Sequence, residues 1–500
     1  MIDIRTSIMN NLMTDMDRDC LYVDGRYYSR KDICQCINKI DEICHDKRVV
    51  AFSSTKDIAS YAIIIYCIIF QKTFVPVSMD QPEKRLEYMF NDTRPDVIFC
   101  DESTNLGNSV KKSDIAPKAE DECILSIRSS GLTTDNAYIL FTSGSTGNPK
   151  GVLVSYSNLN AYINNVIQTM RVRAEDRVSQ FFDLTFDVSI HDIVTSFVAG
   201  ACLYSIPDGD RYFPNHFINT HKLTVWFCVP SFVNLLLDQF SGRFKFPTLR
   251  LSIFAGEALS AEFLRKWRKV APGSDIYNLY GPTETTIGIC WAKINDSDIE
   301  SNAIPIGKVA PGHSYELLND SEQSDGGTES DVSGGNRGIL VVYGPQVTRG
   351  YINRDVSHSG FIEPGVRGRG YHTGDAVELK NGQLYYLGRS DNMVKVRGVR
   401  IELQDVEENV RSQLNVVNVF AAVANDKAKP LLVLCSDSEK VIHRLKSEDL
   451  DLPSTMIPDR VVLVPEIPRG RSGKIDRKML TSMVSETISS FKTCKEIELS

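Results

Sequence analysis

No apolar run in this sequence is long enough to cross a bilayer. The longest, Tyr61–Phe70 (YAIIIYCIIF), falls well short of the ~20 residues a spanning helix needs and reads as a buried helix. No secretory leader is expected, because the opening MIDIRTSIMNNLMTD mixes charges and has no continuous apolar centre. Positive charge is not in excess. The net charge of -8 argues against a nucleic-acid scaffold, since phosphate backbones demand clustered Lys and Arg. The 12 cysteines include no CxxC pair. Their tightest group, Cys34, Cys36 and Cys44 with His45, fits no usual zinc spacing, so buried free thiols and a reducing, cytoplasmic setting are expected. Neither membrane nor nucleic acid is an expected partner. No internal repeat is present.

What is there fits a globular protein. A chain of 500 residues exceeds one ordinary core, so two or more domains are expected. The apolar share, 42%, and the charged share, 24%, are those of a folded protein. Strand-like runs at Val49–Phe52, Thr73–Val77 and Asp96–Cys100 alternate with helix-like runs such as Ala59–Phe70, which points to parallel sheets. The alternation resumes with helices near 157–170 and 190–199 and at Pro230–Phe240 and Ser260–Val270. The matching strands are Arg177–Phe182, Ala201–Ile206, Thr224–Cys228 and Leu249–Phe254. From about residue 300 the texture turns to short β segments, with Asn319–Asn336 an exposed loop. Gly388–Gly398 reads as a hinge, and Val406–Leu414, Phe420–Val423 and Leu431–Cys435 form a further helix and two strands. The expected fold class is α/β. A large N-terminal domain, residues 1–389, would hold parallel and mixed sheets packed with helices plus a β-rich subdomain. A small mobile α+β domain would follow at 390–500.

The densest chemistry lies at Thr142–Gly151, TSGSTGNPKG, between the apolar runs Ala137–Phe141 and Val152–Val154. Gly144 and Gly147 let backbone N–H groups converge on an anion. Thr142, Ser143, Ser145 and Thr146 add hydroxyl donors, and Lys150 adds a mobile positive charge. A Walker loop is excluded, because Pro149-Lys150-Gly151 has neither the glycine before the lysine nor the hydroxyl after it. Standing alone, the loop would read as a flexible surface linker.

Four more polar islands follow strand-like runs: Tyr280–Thr285 (YGPTET), Tyr371–Asp375 (YHTGD), Gly388–Asp391 (GRSD) and Arg469–Arg477 (RGRSGKIDR). Each alone reads as a turn, and Tyr371–Asp375 as an acid placed after a glycine-rich turn. Together, in this order, with Phe74-Val75-Pro76, Asp80-Gln81-Pro82, Phe186–Ser189 and Gly388–Glu402, they resemble the adenylate-forming superfamily, and within it the amino-acid-activating enzymes of nonribosomal peptide synthesis. The resemblance runs from roughly residue 20 to 480. One departure, Gln71-Lys72-Thr73 where members carry a glycine-containing turn, bears on local loop geometry only.

The resemblance implies two half-reactions: a carboxylate attacks the α-phosphorus of ATP and expels pyrophosphate, and a thiol then attacks the acyl-adenylate. Positioning and charge neutralisation would dominate. It implies that the Thr142–Lys150 loop cradles the leaving phosphates, that Glu284 holds Mg²⁺ with Thr283 beside it, and that Asp375, assisted by Arg389, binds the ribose. Tyr280 and Gly256-Glu257-Ala258 would sandwich the adenine, and Lys474 would bridge the substrate carboxylate and the α-phosphate. The C-terminal domain would swing about a hinge at Asp391–Lys395, bringing the Gly398 face in for thiol transfer.

By the same resemblance, Asp187 binds the α-ammonium of an amino acid; as a bare sequence feature it would be a helix N-cap. The remaining pocket would be Val188, His191, Phe227, Ile253, Ala255, Leu279, Ile287 and Gly288. With no second charge, charged substrates are disfavoured. Phe227 and Leu279 make the pocket shallow, while Gly288 and His191 leave some room, His191 either bonding a substituent or filling space. Proline or a similar small apolar amino acid is the expected substrate, with D-alanine or an aminobenzoate-type acid as competitors. An acyl-coenzyme A ligase and a catalytically silent nucleotide-binding protein are the rival readings. No phosphopantetheine site follows Lys474, so a separate carrier protein is the expected acceptor, and a monomer is expected.

Overall fold

Two sheets rich in parallel strands carry most of the chain in the computed structural model. It describes residues 2–498 except 103–107, 119–120, 122–130, 144–147, 212, 241, 319–335, 354–359, 390–392, 415, 417–418, 427–428, 440, 442–443, 445–449, 451, 465–466, 469–476 and 490–496. The chain divides into two compact units. One comprises Met1–Met79, Phe90–Leu140 and Gly151–Gly388; the other comprises Asp80–Met89, Phe141–Lys150 and Arg389–Ser500.

In the larger unit a nine-stranded sheet runs in the spatial order Lys308–Val309, Cys290–Ile294, Asp275–Tyr280, Leu251–Ala255, Val225–Cys228, Arg177–Gln180, Cys202–Ser205, Asp19–Val23, Arg26–Ser29. Its central pairs are parallel, and strands such as Val225–Cys228 and Leu251–Ala255 are buried along their whole length, as strands covered on both faces must be. A six-stranded sheet orders Ser109–Lys111, Val97–Cys100, Val49–Ser53, Thr73–Val77, Asn136–Thr142, Lys150–Ser155. The helix Ile58–Phe70 is buried from Ile58 to Ile69, which explains its unbroken apolar sequence.

That helix ends where the sequence departs from the expected glycine turn. Gln71 takes the left-handed conformation itself, at φ 50°, ψ 54°. Lys72 is then buried, and its Nζ donates to the carbonyls of His45, Lys47 and Leu132 at 2.8, 2.8 and 2.6 Å. Gly131 makes room for this knot: a Cβ there would sit 2.7 Å from the His45 oxygen.

A five-stranded sheet, Ser314–Leu318, Arg337–Tyr343, Gly368–Lys380 and Phe361–Gly365 with Gln383–Arg389, lies later in the chain. Here the structure corrects one expectation. Tyr371–Asp375 does not follow a turn but lies inside the strand Gly368–Lys380. Gly370 pairs with Tyr343, and a Cβ on it would come 2.5 Å from the Tyr343 ring, so this glycine serves close packing rather than chain reversal.

The smaller unit contains the hairpin Met393–Val396 with Val399–Glu402, whose turn residues Arg397 and Gly398 both have positive φ. It continues with the helix Leu403–Leu414, a sheet ordered Phe420–Asp426, Lys429–Ser436, Arg460–Leu463, Ile497–Glu498, and the helix Arg477–Ser489. Glu407, almost fully buried, binds Arg477 through both oxygens at 2.8 and 3.1 Å and accepts from the Ala421 amide at 2.8 Å. This pair anchors the helix that begins just past Lys474. Among the described residues the cysteines are free, and all but Cys202 are buried. None joins a group of three or more metal-ligating side chains.

Candidate active site

The parallel strands bring the expected pocket residues to one face. Phe227 is in register with Ile253 and Ala255 with Leu279; Ile253 and Ala255 are two apart, so all four side chains share a side. All four are buried, as is Ile287. Asp187 is the first residue of the helix Asp187–Ala199. The N-cap is Phe186, which makes no capping bond, so Asp187 does not serve as the cap. A carboxylate in the first turn is favoured by the helix dipole.

One turn on, His191 is wholly enclosed. Its Nδ1 shares a 2.7 Å hydrogen bond with the Tyr162 hydroxyl, and its ring meets Phe227 edge-on, centroids 5.0 Å apart. Burial pushes its pKa down to about 3, so the ring is neutral. Tyr138 and Tyr162 are close enough to Asp187 for its charge to help push their phenols well up, after burial. Half-buried Asp187 and the buried Tyr138, Tyr162 and His191 thus form one polar neighbourhood.

The Tyr280–Gly288 stretch is strained and held. Thr286 and Ile287, both β-branched, have φ of 58° and 68°, each an arrangement that costs on the order of 1–3 kcal/mol. Gln346 staples it, donating to the Gly288 carbonyl at 2.8 Å and accepting at its own carbonyl from the Thr286 hydroxyl at 2.6 Å. Gly281 and Gly288 cross so closely that a Cβ on Gly281 would lie 2.7 Å from the Gly288 Cα. Gly288 therefore opens no room for substrate. A Cβ there would be 2.5 Å from Leu279 Cδ1, so the space is already filled.

Within this stretch Glu284, fully buried in the turn Thr283–Thr285, accepts a 2.7 Å hydrogen bond from the Tyr351 hydroxyl, and its carbonyl accepts from the Thr348 amide. Tyr280 donates to Asp375 at 2.5 Å. Burial, then the charge of Asp375, pushes the Tyr280 phenol well up, which keeps the proton on the tyrosine. Gly256 has φ 86°, and Glu257 beside it accepts from the amide and hydroxyl of Ser231 at 3.1 and 2.8 Å; Ala258 is exposed. Chemically, the Glu284 carboxylate is a hard oxygen donor of the type that suits Mg²⁺.

In the smaller unit the Thr142 hydroxyl reaches the Lys150 carbonyl at 3.5 Å, while Ser143 donates to the Arg400 carbonyl at 2.9 Å and accepts from the Glu402 amide at 3.2 Å. Lys395 pairs with Arg400 across the hairpin. Arg389 ends the strand Gln383–Arg389. Gly144, Ser145, Thr146, Gly147, Asp391 and Lys474 lie outside the described residues. Tyr162, Tyr351 and Gln346 were missed in the sequence. None of the three lies in a motif that the sequence singled out.

The sequence profile of the family described as AMP-binding enzyme matches residues 45–352. The chain belongs to that family. An AMP-binding enzyme of this kind is an ATP-dependent, AMP-forming ligase. It is 29% identical over 450 residues to the D-alanine–D-alanyl carrier protein ligase of Listeria monocytogenes serotype 4a, covering 83% of this chain and 85% of the relative. With the ligase of the same description from Lacticaseibacillus rhamnosus it shares 31% over 369 residues, 70% of this chain and 71% of the relative. Among solved structures, the Vibrio cholerae adenylation domain AlmE in complex with glycyl-adenosine-5'-phosphate superposes with a TM-score of 0.82 at 27% identity, covering 97% and 98% of the two chains. No helix among the described residues is long and apolar enough to cross a membrane.

Proposed function

We propose that this AMP-binding enzyme adenylates an amino acid with a small side chain, D-alanine first, and passes the aminoacyl group to the phosphopantetheine thiol of a separate carrier protein. A substrate carboxylate oxygen bonds to the α-phosphorus of ATP as the bond to pyrophosphate breaks; the carrier thiol then attacks the acyl carbonyl and AMP leaves. The observation that carries this reading is Asp187 opening a helix on which His191, one turn along the same face, is packed against Phe227. The carboxylate suits an α-ammonium, and the enclosed wall beyond suits a short side chain.

The names of the relatives support the same choice: the ligases from Listeria and Lacticaseibacillus are described by D-alanine, and AlmE was solved with a glycyl adenylate. Proline, the first expectation from the pocket residues, gives way to D-alanine on those grounds and because Gly288 contributes no space. Glu284 is the residue to hold Mg²⁺, which would neutralise phosphate charge. Asp375, hydrogen-bonded by Tyr280, is the residue to accept from ribose hydroxyls, and Lys474 is assigned the charge that crowds during attack.

The test is amino-acid-dependent ATP–pyrophosphate exchange over glycine, D- and L-alanine, L-proline, D- and L-valine and aminobenzoates. Exchange led by D-alanine or glycine supports the reading, and exchange only with acids lacking an amine overturns it. Lys474→Ala is expected to lower exchange on the order of 10²–10³-fold.

A further inference from the structure

We propose that Tyr162, which lies in none of the polar motifs, is the positioning residue that sets the size limit of the amino-acid pocket, by fixing the His191 ring against Phe227 as the pocket's inner wall. The inference rests on the functional reading above and extends it to selection among amino acids.

The geometry is a chain of constraints. Asp187 and His191 are four residues apart on one helix, so their side chains lie on the same face, one turn apart. His191 is enclosed, with its ring edge-on to Phe227 at 5.0 Å, and Phe227 in turn edge-on to Phe182 at 4.8 Å. Phe227 shares its sheet face with Ile253, Ala255 and Leu279. The imidazole therefore fills the ground between the ammonium-binding end of the helix and the apolar wall.

A polar ring in such a place needs a partner, or it would favour any rotamer that reached water. Tyr162 supplies the partner. It projects from the helix Tyr156–Met170, is fully buried, and makes a 2.7 Å bond to Nδ1. To admit a longer substrate side chain, His191 would have to break that bond, and both partners would lose it inside a buried site. A leucine or phenylalanine at 191 would only crowd a larger substrate. The tyrosine–histidine pair adds direction, holding the ring in a single rotamer whether or not substrate is present.

The experiment compares kcat/KM for D-alanine and D-valine in pyrophosphate exchange, using the full chain with Tyr162→Phe, His191→Ala and the double variant. The ratio of the two constants does not depend on how much of a preparation is folded, so a general loss of stability leaves it unmoved. Tyr162→Phe keeps the ring volume and removes only the hydroxyl. It is expected to leave D-alanine activity within about threefold and to lower the alanine-to-valine ratio at least tenfold. His191→Ala is expected to lower the ratio further. Adding Tyr162→Phe to His191→Ala is expected to change nothing more, because the tyrosine acts through the histidine. An unchanged ratio in an active Tyr162→Phe enzyme overturns the inference, as does an equal fall in the His191→Ala background. Exchange with no amino acid at all overturns the functional reading, and this inference with it.

Discussion

Tyr351 donates its phenolic proton to Glu284 across 67 residues of sequence, at 2.7 Å, and the backbone of Tyr351 bridges Val152, which follows the phosphate-type loop. A single tyrosine thus orients the carboxylate assigned to Mg²⁺ and ties it to the strand leaving that loop. Tyr351→Phe is expected to remove about 1.5–3 kcal/mol of orientation at a charged acceptor. The check is the Mg²⁺ concentration giving half-maximal exchange, which should rise, together with calorimetric binding of Mg²⁺ with a non-hydrolysable ATP analogue, which should weaken. Unchanged metal dependence would leave Tyr351 a packing residue.

The crossing of Gly281 and Gly288 separates two substitutions that look alike on paper. An alanine Cβ at 281 would strike backbone, 2.7 Å from Gly288 Cα and 2.8 Å from the Ile289 nitrogen. One at 288 would strike the far end of Leu279. Gly281→Ala should cost about 1–3 kcal/mol or more in a urea titration. Gly288→Ala should be milder in stability but should raise KM for the amino acid, as Leu279 is pushed aside.

The buried, neutral His191 gives a pH dependence with a definite sign. Its pKa falls from the usual imidazole value to about 3, so between those values the unfolded chain binds more protons than the folded one. The stability it contributes is fully present above pH ~6.5 and is lost progressively as pH falls towards 3, amounting to about 2 kcal/mol by pH 5. Thermal midpoints measured from pH 7 to 5 should fall less steeply in His191→Gln, because glutamine does not titrate.

At Gln71 the backbone is left-handed without a glycine. Gln71→Gly should therefore stabilise the larger unit by up to ~1 kcal/mol. Lys72→Met, which abandons three carbonyls, should destabilise it by about 2 kcal/mol or more. Both are readable from urea midpoints at unchanged slope.

Much of this was legible from residue order because buried parallel strands and amphipathic helices write themselves in continuous or periodic apolar runs. The helix Pro230–Phe240 falls where the sequence places it, and Phe227 and Leu279 lie on strands of one sheet, with Leu251–Ala255 between them. Local signals misled where a glycine had a long-range reason. Gly370 reads as a turn but accommodates the Tyr343 ring from a paired strand, and Gly288 reads as open space but is filled by Leu279. Tyr162, Gln346 and Tyr351 left little local trace, since each acts on a residue distant in sequence.

The interlocked glycines also bear on how such an enzyme can diverge. A loop whose backbone is clamped at 281 and 288 and braced by Gln346 has little freedom to drift, so changes of substrate are expected in the side chains of the Asp187 helix, its Tyr162 neighbour and the strand ends at Ile253 and Ala255. Selection and chemistry would then be inherited as separate modules, one mutable and one frozen, within a single compact unit.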